Sequence, residues 1–326
     1  MSMATKQGPP KADSRGYLPI GIETLVPAVA LEFDLYLRAE PAGAVVLFRE
    51  QRYPLEPDDL DRLRESGVRT LYIAVAGHVA YCRYLHDQVT HNDSLPPAQR
   101  FQLLRAANRA VFETAFHSGN TNRLVEFAHE FGTQMVDLVC DQDLVLSSLL
   151  PLMAHDYYTY THVTNVCTYC LVLADRLGIS KRGDLLAIAT GASLHDLGKR
   201  EIAPAVLNHP GRLSDEQWEV IRRHPVDGFR ALCTRDDLEW GQLMMVYQHH
   251  ERPDGRGYPV GSVADEIHPW ARLCKVADVF DALSCDRPYR KAEPVERVLA
   301  FLEERIGTEF DEEIVRCLRA TIESES

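Results

Sequence analysis

Two pairs of adjacent side chains in this 326-residue chain have the composition of a metal centre, His195-Asp196 and His249-His250. Neutral imidazole and carboxylate together suit divalent iron, manganese or zinc, whereas thiolate-rich sets point to structural zinc. Donors of the same types recur at His162, His224 and Asp278. Each alone has a plainer reading: His162 as a hydrogen-bonded histidine, His224-Pro225 as the end of a helix containing Trp218 and Ile221. Asp278 is harder to dismiss, because it lies among Val276, Ala277, Val279 and Phe280, where an unpaired charge is costly to bury. A carboxylate has two oxygens and can bridge two ions, whereas an imidazole normally ligates through one nitrogen, so Asp196 takes the bridging role. Two ions about 3.5–4 Å apart would clamp the attacking and leaving oxygens of a phosphoester displacement and generate hydroxide at neutral pH.

These donors need rigid elements to hold them. His249-His250 closes an apolar run (Leu243 to Val246), and Pro253 then disfavours further helix. The following loop carries Gly255, Gly257, Tyr258 and Pro259, which sets an aromatic ring beside the two imidazoles. Adjacent side chains on a helix project about 100° apart, so His195 and Asp196 reach one site only near a helix end, which Gly198 supplies.

Residues 18–86 read as a small α/β module. Phe33, Leu35 and Leu37 alternate with Asp34, Tyr36 and Arg38 as in a half-buried strand, and residues 44–48 and 68–75 give two more strands. Between them Pro57 opens a helix with Leu60 and Leu63 inward, and Gly67 closes it. Residues 87–97 are polar, end in Pro-Pro and read as a linker. A helical hairpin follows to residue 149, with Phe101, Leu104, Val111, Phe112 and Ala115 on one face and Leu124, Phe127, Phe131, Met135 and Leu138 on the next. That stripe fits either a hairpin packed on its own domain or the seam of a homodimer. Residues 150–322 are again mostly helical and hold every histidine-carboxylate cluster noted above. The whole is mainly α, and residues 1–17 read as a disordered polar tail.

A net charge of −13 argues against polymeric nucleic acid or an anionic membrane surface as a partner. No apolar run approaches the roughly 20 residues of a membrane span. Eight scattered cysteines fit free thiols in a reducing, cytoplasmic setting. Cys167 and Cys170 form a CxxC within an apolar run and read as core thiols.

Residues 156–291 resemble the HD-GYP subclass of the HD phosphohydrolases. The likeness rests on Tyr160-Thr161-His162, His195-Asp196-Leu197-Gly198-Lys199, His224-Pro225, the 249–259 stretch, Ala277-Asp278 with Asp281, and Asp286-Arg287-Pro288-Tyr289-Arg290. It implies an all-helical domain that hydrolyses the bacterial second messenger cyclic di-GMP to pGpG and, in many members, on to GMP. It also implies one iron or manganese ion on His162, His195, Asp196 and Asp278 and a second on Asp196, His224, His249 and His250, with a bridging hydroxide as nucleophile. Lys199 and Arg287 match phosphate contacts, while Asp281 and Arg290 stand beside them as candidate substrate-binding residues, and Asp281 could instead orient a ligand histidine. The resemblance also implies a role for the loop at Gly257, Tyr258 and Pro259 in contacts with diguanylate cyclase (GGDEF) domains. Some members hold a third ion through a glutamate where this chain has Tyr158, and Asp156 lies off the required face, so two ions are expected. Alternatives are a receptor for cyclic di-GMP with little turnover, and a phosphodiesterase for another cyclic dinucleotide such as cGAMP.

Overall fold

A computed structural model describes residues 16–38, 45–90, 92, 95–117, 119–140, 146–153, 159–207, 209, 211–286 and 290–324. The expected tail, Tyr158, Asp156 and Arg287 lie outside these residues, apart from the tail's last two positions.

The N-terminal module is a four-stranded antiparallel sheet of β1 (Tyr17–Gly21), β2 (Leu35–Arg38), β3 (Val45–Arg49) and β4 (Thr70–Ala74), with α1 (Pro57–Glu65) between β3 and β4. The strand order is β1-β4-β2-β3. Register explains the buried face: Leu18 pairs with Ile73 and Ile20 with Leu71, and all four are fully buried. The three strands read from the sequence are present, and β1 is additional. It lies at the sheet edge and contains Pro19, a residue that central strands exclude and edge strands accept. Leu60 and Leu63 of α1 point inward, and Gly67 closes the helix at φ 76°.

After α2 (His78–Leu85) the polar stretch at 87–97 does not begin as a free linker. His86–Thr90 forms a π-helical turn that buries Val89 and Thr90, and Arg100 donates to the Thr90 carbonyl at 2.9 Å.

Helices α3 (Pro97–His117) and α4 (Thr121–Val139) form the expected hairpin. Gly119 at φ 71° turns the chain, and the Asn120 side chain caps α4 by accepting from the Arg123 amide. Leu124, Phe127, Phe131, Met135 and Leu138 are all buried within this chain, where α4 packs on α3 and α7. The stripe therefore belongs to the chain's own core, and the dimer-seam reading of it is corrected. A period-3.6 apolar face looks the same whether its partner helix is internal or external.

The helical body continues with α5 (Leu146–Met153), α6 (Thr159–Arg176), α7 (Arg182–Leu194), a 3-10 turn (Leu197–Glu201), α8 (Pro204–Leu207) and α9 (Asp215–Arg222). It is completed by α10 (His224–Leu232), α11 (Trp240–Gln248), α12 (Pro269–Ser284), α13 (Val295–Glu304) and α14 (Glu312–Ser324). The buried helix α7 packs against α4, α6 and α11. Cys167 and Cys170 are fully buried free thiols, as read from the sequence. No described helix is long and apolar enough to cross a membrane.

Candidate metal centre

Helix α7 stops at Leu194, which leaves His195 as its C-terminal cap with helical angles and Asp196 just beyond at φ −97°, ψ 10°. That break releases the two adjacent side chains from their 100° splay. Gly198 acts differently from expected, because the helix has already ended before it. A Cβ at Gly198 would lie 1.9 Å from the His224 carbonyl oxygen and 2.6 Å from the Gly228 nitrogen. Its bare backbone lets α10 approach, and α10 carries His224 at its start. His224 therefore opens a helix instead of ending the preceding one, with Pro225 in the first turn.

Asp196 stands at the centre of the donor set. Its Oδ2 lies 3.8 Å from His162 Nε2 and 3.4 Å from His195 Nε2. Its Oδ1 lies 3.3 Å from His224 Nε2 and 3.8 Å from His249 Nε2. His224 Nε2 and His249 Nε2 are 3.1 Å apart, and His250 completes a second triad with them. Asp278 Oδ1 is 3.2 Å from His162 Nε2. All seven expected ligands thus converge, from α6, α10, α12 and the turns that follow α7 and α11.

The far sides of the rings are fixed. His195 Nδ1 donates to the Ala192 carbonyl at 2.6 Å, His224 Nδ1 to Ile221 at 2.7 Å and His249 Nδ1 to Met245 and Val246 at 3.0 Å. In the neutral ring, Nδ1–H donation leaves the Nε2 lone pair facing Asp196. His195 Nε2 and Asp196 Oδ1 are buried and have no well-formed hydrogen bond among the described residues. A buried ring nitrogen and a buried carboxylate oxygen left without partners are what a cation satisfies, displacing the Nε2 proton that His195 otherwise carries. The residues therefore fit divalent metal.

The two halves carry different charge. Burial alone would lower His162 and His195, but Asp278 and Asp281 beside His162, and Asp196 beside His195, outweigh it and hold both at about 9. Burial lowers His224 to about 4 and pushes His249 and His250 well below the usual histidine range. Burial would raise Asp196 and Asp278, yet Lys199 and His195 around the first, and His162 beside the second, keep both carboxyls well below the ordinary range. Carboxylates gather at one end and neutral imidazoles at the other.

Outside the ligand set the expectations divide. Lys199 Nζ contacts Asp196 Oδ2 at 2.5 Å and keeps part of its side chain in solvent. Asp281, expected among the substrate-binding residues, is fully buried and accepts from His162 Nδ1 and Asn165 Nδ2 at 2.7 Å each, so it orients the His162 ring. Arg290, the other such residue, donates from its guanidinium to the Ala282 and Leu283 carbonyls at 2.6 and 3.2 Å, capping the end of α12. The Tyr258 ring stacks on His250 with centroids 4.7 Å apart, and Arg222 sits 5.7 Å from the same ring.

Sequence reasoning gave Glu251 no role. It is buried, and its carboxylate accepts from the amides of Val260 at 2.7 Å, Gly261 at 3.0 Å and Ser262 at 3.0 Å, which ties the Tyr258 loop back to the end of α11. The available signal was an acid beside a glycine-rich turn whose amides need acceptors. Glu251→Gln turns an NH2 toward those amides at a cost of about 1–3 kcal/mol. Amide exchange at Gly261 and Ser262 is expected to quicken by roughly 10- to 100-fold while exchange in α7 is unchanged.

The family described as "HD domain" matches residues 145–314. This chain belongs to the HD domain family. The chain is similar to cyclic di-GMP phosphodiesterase PA4108 of Pseudomonas aeruginosa, 31% identical over 278 residues that cover 79% of this chain and 66% of that protein. It is 36% identical over 165 residues to 3'3'-cGAMP-specific phosphodiesterase 3 of Vibrio cholerae, covering 51% of this chain and 35% of the relative. The response regulator RpfG of Xanthomonas campestris pv. campestris, a cyclic di-GMP phosphodiesterase, is 40% identical over 149 residues, covering 45% and 39% respectively. The matches thus span between about a third and just under two thirds of these relatives' lengths. Among solved structures, Bd1817, an HDG"Y"P protein from Bdellovibrio bacteriovorus, aligns with 94% of this chain and 99% of its own at a TM-score of 0.65 and 19% identity. That likeness is one of fold, and it takes in the N-terminal module with the HD domain.

Proposed function

We propose that this chain is a metal-dependent phosphodiesterase that opens cyclic di-GMP to pGpG. The observation that carries the reading is the division of Asp196, one oxygen facing His162 and His195 and the other facing His224 and His249. One ion would be held by His162, His195, Asp196 and Asp278, and another by Asp196, His224, His249 and His250. Iron or manganese suits this oxygen-nitrogen set, which contains no thiolate. When bound, such ions supply Lewis acidity and a nucleophile at neutral pH.

The chain's own residues do the rest. Asp281 keeps the His162 ring in place, and the Ala192, Ile221 and Met245 carbonyls fix the other rings. Lys199 exchanges its contact with Asp196 for a phosphate oxygen when the anionic ligand arrives, and Arg287 gives a second cationic contact on the strength of its motif. The Tyr258 loop, stacked on His250, is the surface we assign to GGDEF partners.

The relatives' names favour cyclic di-GMP and keep cGAMP as the competing substrate. Manganese- or iron-loaded protein given each dinucleotide separately is expected to turn over cyclic di-GMP faster, with pGpG as the first product. A faster rate on cGAMP would move the substrate assignment, and single-turnover inactivity on both would favour a receptor.

A further inference from the structure

A second cluster of ligating side chains lies away from the Asp196 centre, where α2 of the N-terminal module meets α4. His78 and Cys82 stand four residues apart on α2 and so share one face. Glu130 of α4 closes the triangle. His78 Nδ1 is 3.2 Å from Glu130 Oε2, Cys82 Sγ is 3.2 Å from the same oxygen, and Cys82 Sγ is 3.2 Å from His78 Nε2. One donor atom from each residue lies within 4.8 Å of the other two. The Phe127 ring covers the His78 ring at a centroid distance of 3.9 Å, and Gln134 Nε2 holds the Cys82 carbonyl at 3.4 Å.

We propose that His78, Cys82 and Glu130 form a second, thiolate-containing site for a zinc-class divalent ion. Zinc bonds of about 2.0–2.3 Å in a tetrahedron separate the ligand atoms by roughly 3.3–3.7 Å. The 3.2 Å between Cys82 Sγ and Glu130 Oε2 needs to open by only a few tenths of an ångström. Because His78 faces the carboxylate with Nδ1 and the thiol with Nε2, its ring must turn to bring one nitrogen to both, starting from a donor set that spans no more than 4.8 Å. One nitrogen of His78 binds and the other remains a donor. Cys82 and Glu130 are only partly buried, so a fourth position faces solvent, as in three-ligand zinc sites. The ligand type also separates the two sites: a borderline-soft thiolate set here, and a set of imidazoles and carboxylates around Asp196.

Without metal the triangle closes through the Cys82 thiol proton. Burial and the adjacent Glu130 carboxylate push that thiol up, while burial lowers His78 to about 3 and keeps it neutral. Binding replaces the thiol proton by the ion, the proton passes to solvent, and no electron moves. The site would pin α2 to α4, and α4 meets α7 at Gly132, where a Cβ would come within 3.3 Å of Ala189 and Thr190. Metal at the module junction would therefore brace α7, the helix that His195 caps.

The test uses the full-length, metal-free protein titrated with Co(II). A near-ultraviolet thiolate-to-cobalt charge-transfer band cannot come from the Asp196 centre, whose donors are only nitrogen and oxygen. The wild-type protein is expected to develop this band, and Cys82→Ser to lose it while the visible bands of the other site persist. Glu130→Gln, at a partly exposed position, is expected to fold and to weaken the band-forming Co(II) by about tenfold or more. No band in the wild-type chain, or a band that survives Cys82→Ser, overturns the site. Should Cys82→Ser fail to fold by circular dichroism, unchanged affinity in Glu130→Gln overturns it instead.

Discussion

Asp196→Ala is expected to lower kcat/KM on the cyclic dinucleotide by about 10³-fold or more, equivalent to about 4 kcal/mol of transition-state stabilisation. The size follows from position. Four imidazoles approach this carboxylate within 3.3–3.8 Å, and Lys199 approaches it within 2.5 Å. Its removal takes the shared anion from both halves and leaves the Lys199 ammonium facing histidines, a like-charge environment that disfavours cation binding. Metal content and rate should therefore fall together. Asp196→Asn, which keeps the shape and loses the charge, separates the two contributions: if electrostatics dominate, it too loses metal. Full turnover in either variant would end the mechanism proposed here.

Gly198→Ala is the second large effect, and it acts through backbone alone. The added methyl would sit more than an ångström closer to the His224 carbonyl than real Cβ atoms approach, so α10 has to move. Overpacking against backbone costs about 1–3 kcal/mol, and displacing a positioned group by about 1 Å costs roughly 10²-fold in rate. Thermal unfolding and kcat should both register the change, with kcat falling about 100-fold. Gly183→Ala is the control. It lies on α7 with nothing within 4 Å of the built Cβ, so it should be neutral or slightly stabilising. Equal behaviour of the two variants would mean that the Gly198–His224 approach does not position the centre.

What the chain disclosed in advance depended on how local each signal was. The metal donors were legible because histidines and buried carboxylates are costly without a partner, so their types and motif spacing speak before any fold is known. Three strands and the α3–α4 hairpin were legible from period-2 and period-3.6 apolar patterns. Where a residue's role depends on what folds against it, the letters were ambiguous. Pro19 disguised an edge strand, and the apolar stripe of α4 could not say whether its partner was α7 or another copy. Asp281 and Arg290 sit beside the motif residues in the chain, yet one turns inward to His162 and the other back to the end of α12. Glu251 was invisible for the opposite reason, since its partners are backbone amides, which have no letter. Gly198 was noticed as a helix breaker, but its contact with His224 is a long-range one.

The account rests on two ions gathered around one aspartate. The most direct measurement is the iron-plus-manganese content of anaerobically purified full-length protein carrying Cys82→Ser, so that the α2–α4 cluster contributes nothing to the count. The account predicts close to two ions per chain, falling toward zero when Asp196→Ala is added. One ion per chain, three, or none in a well-folded sample would contradict it.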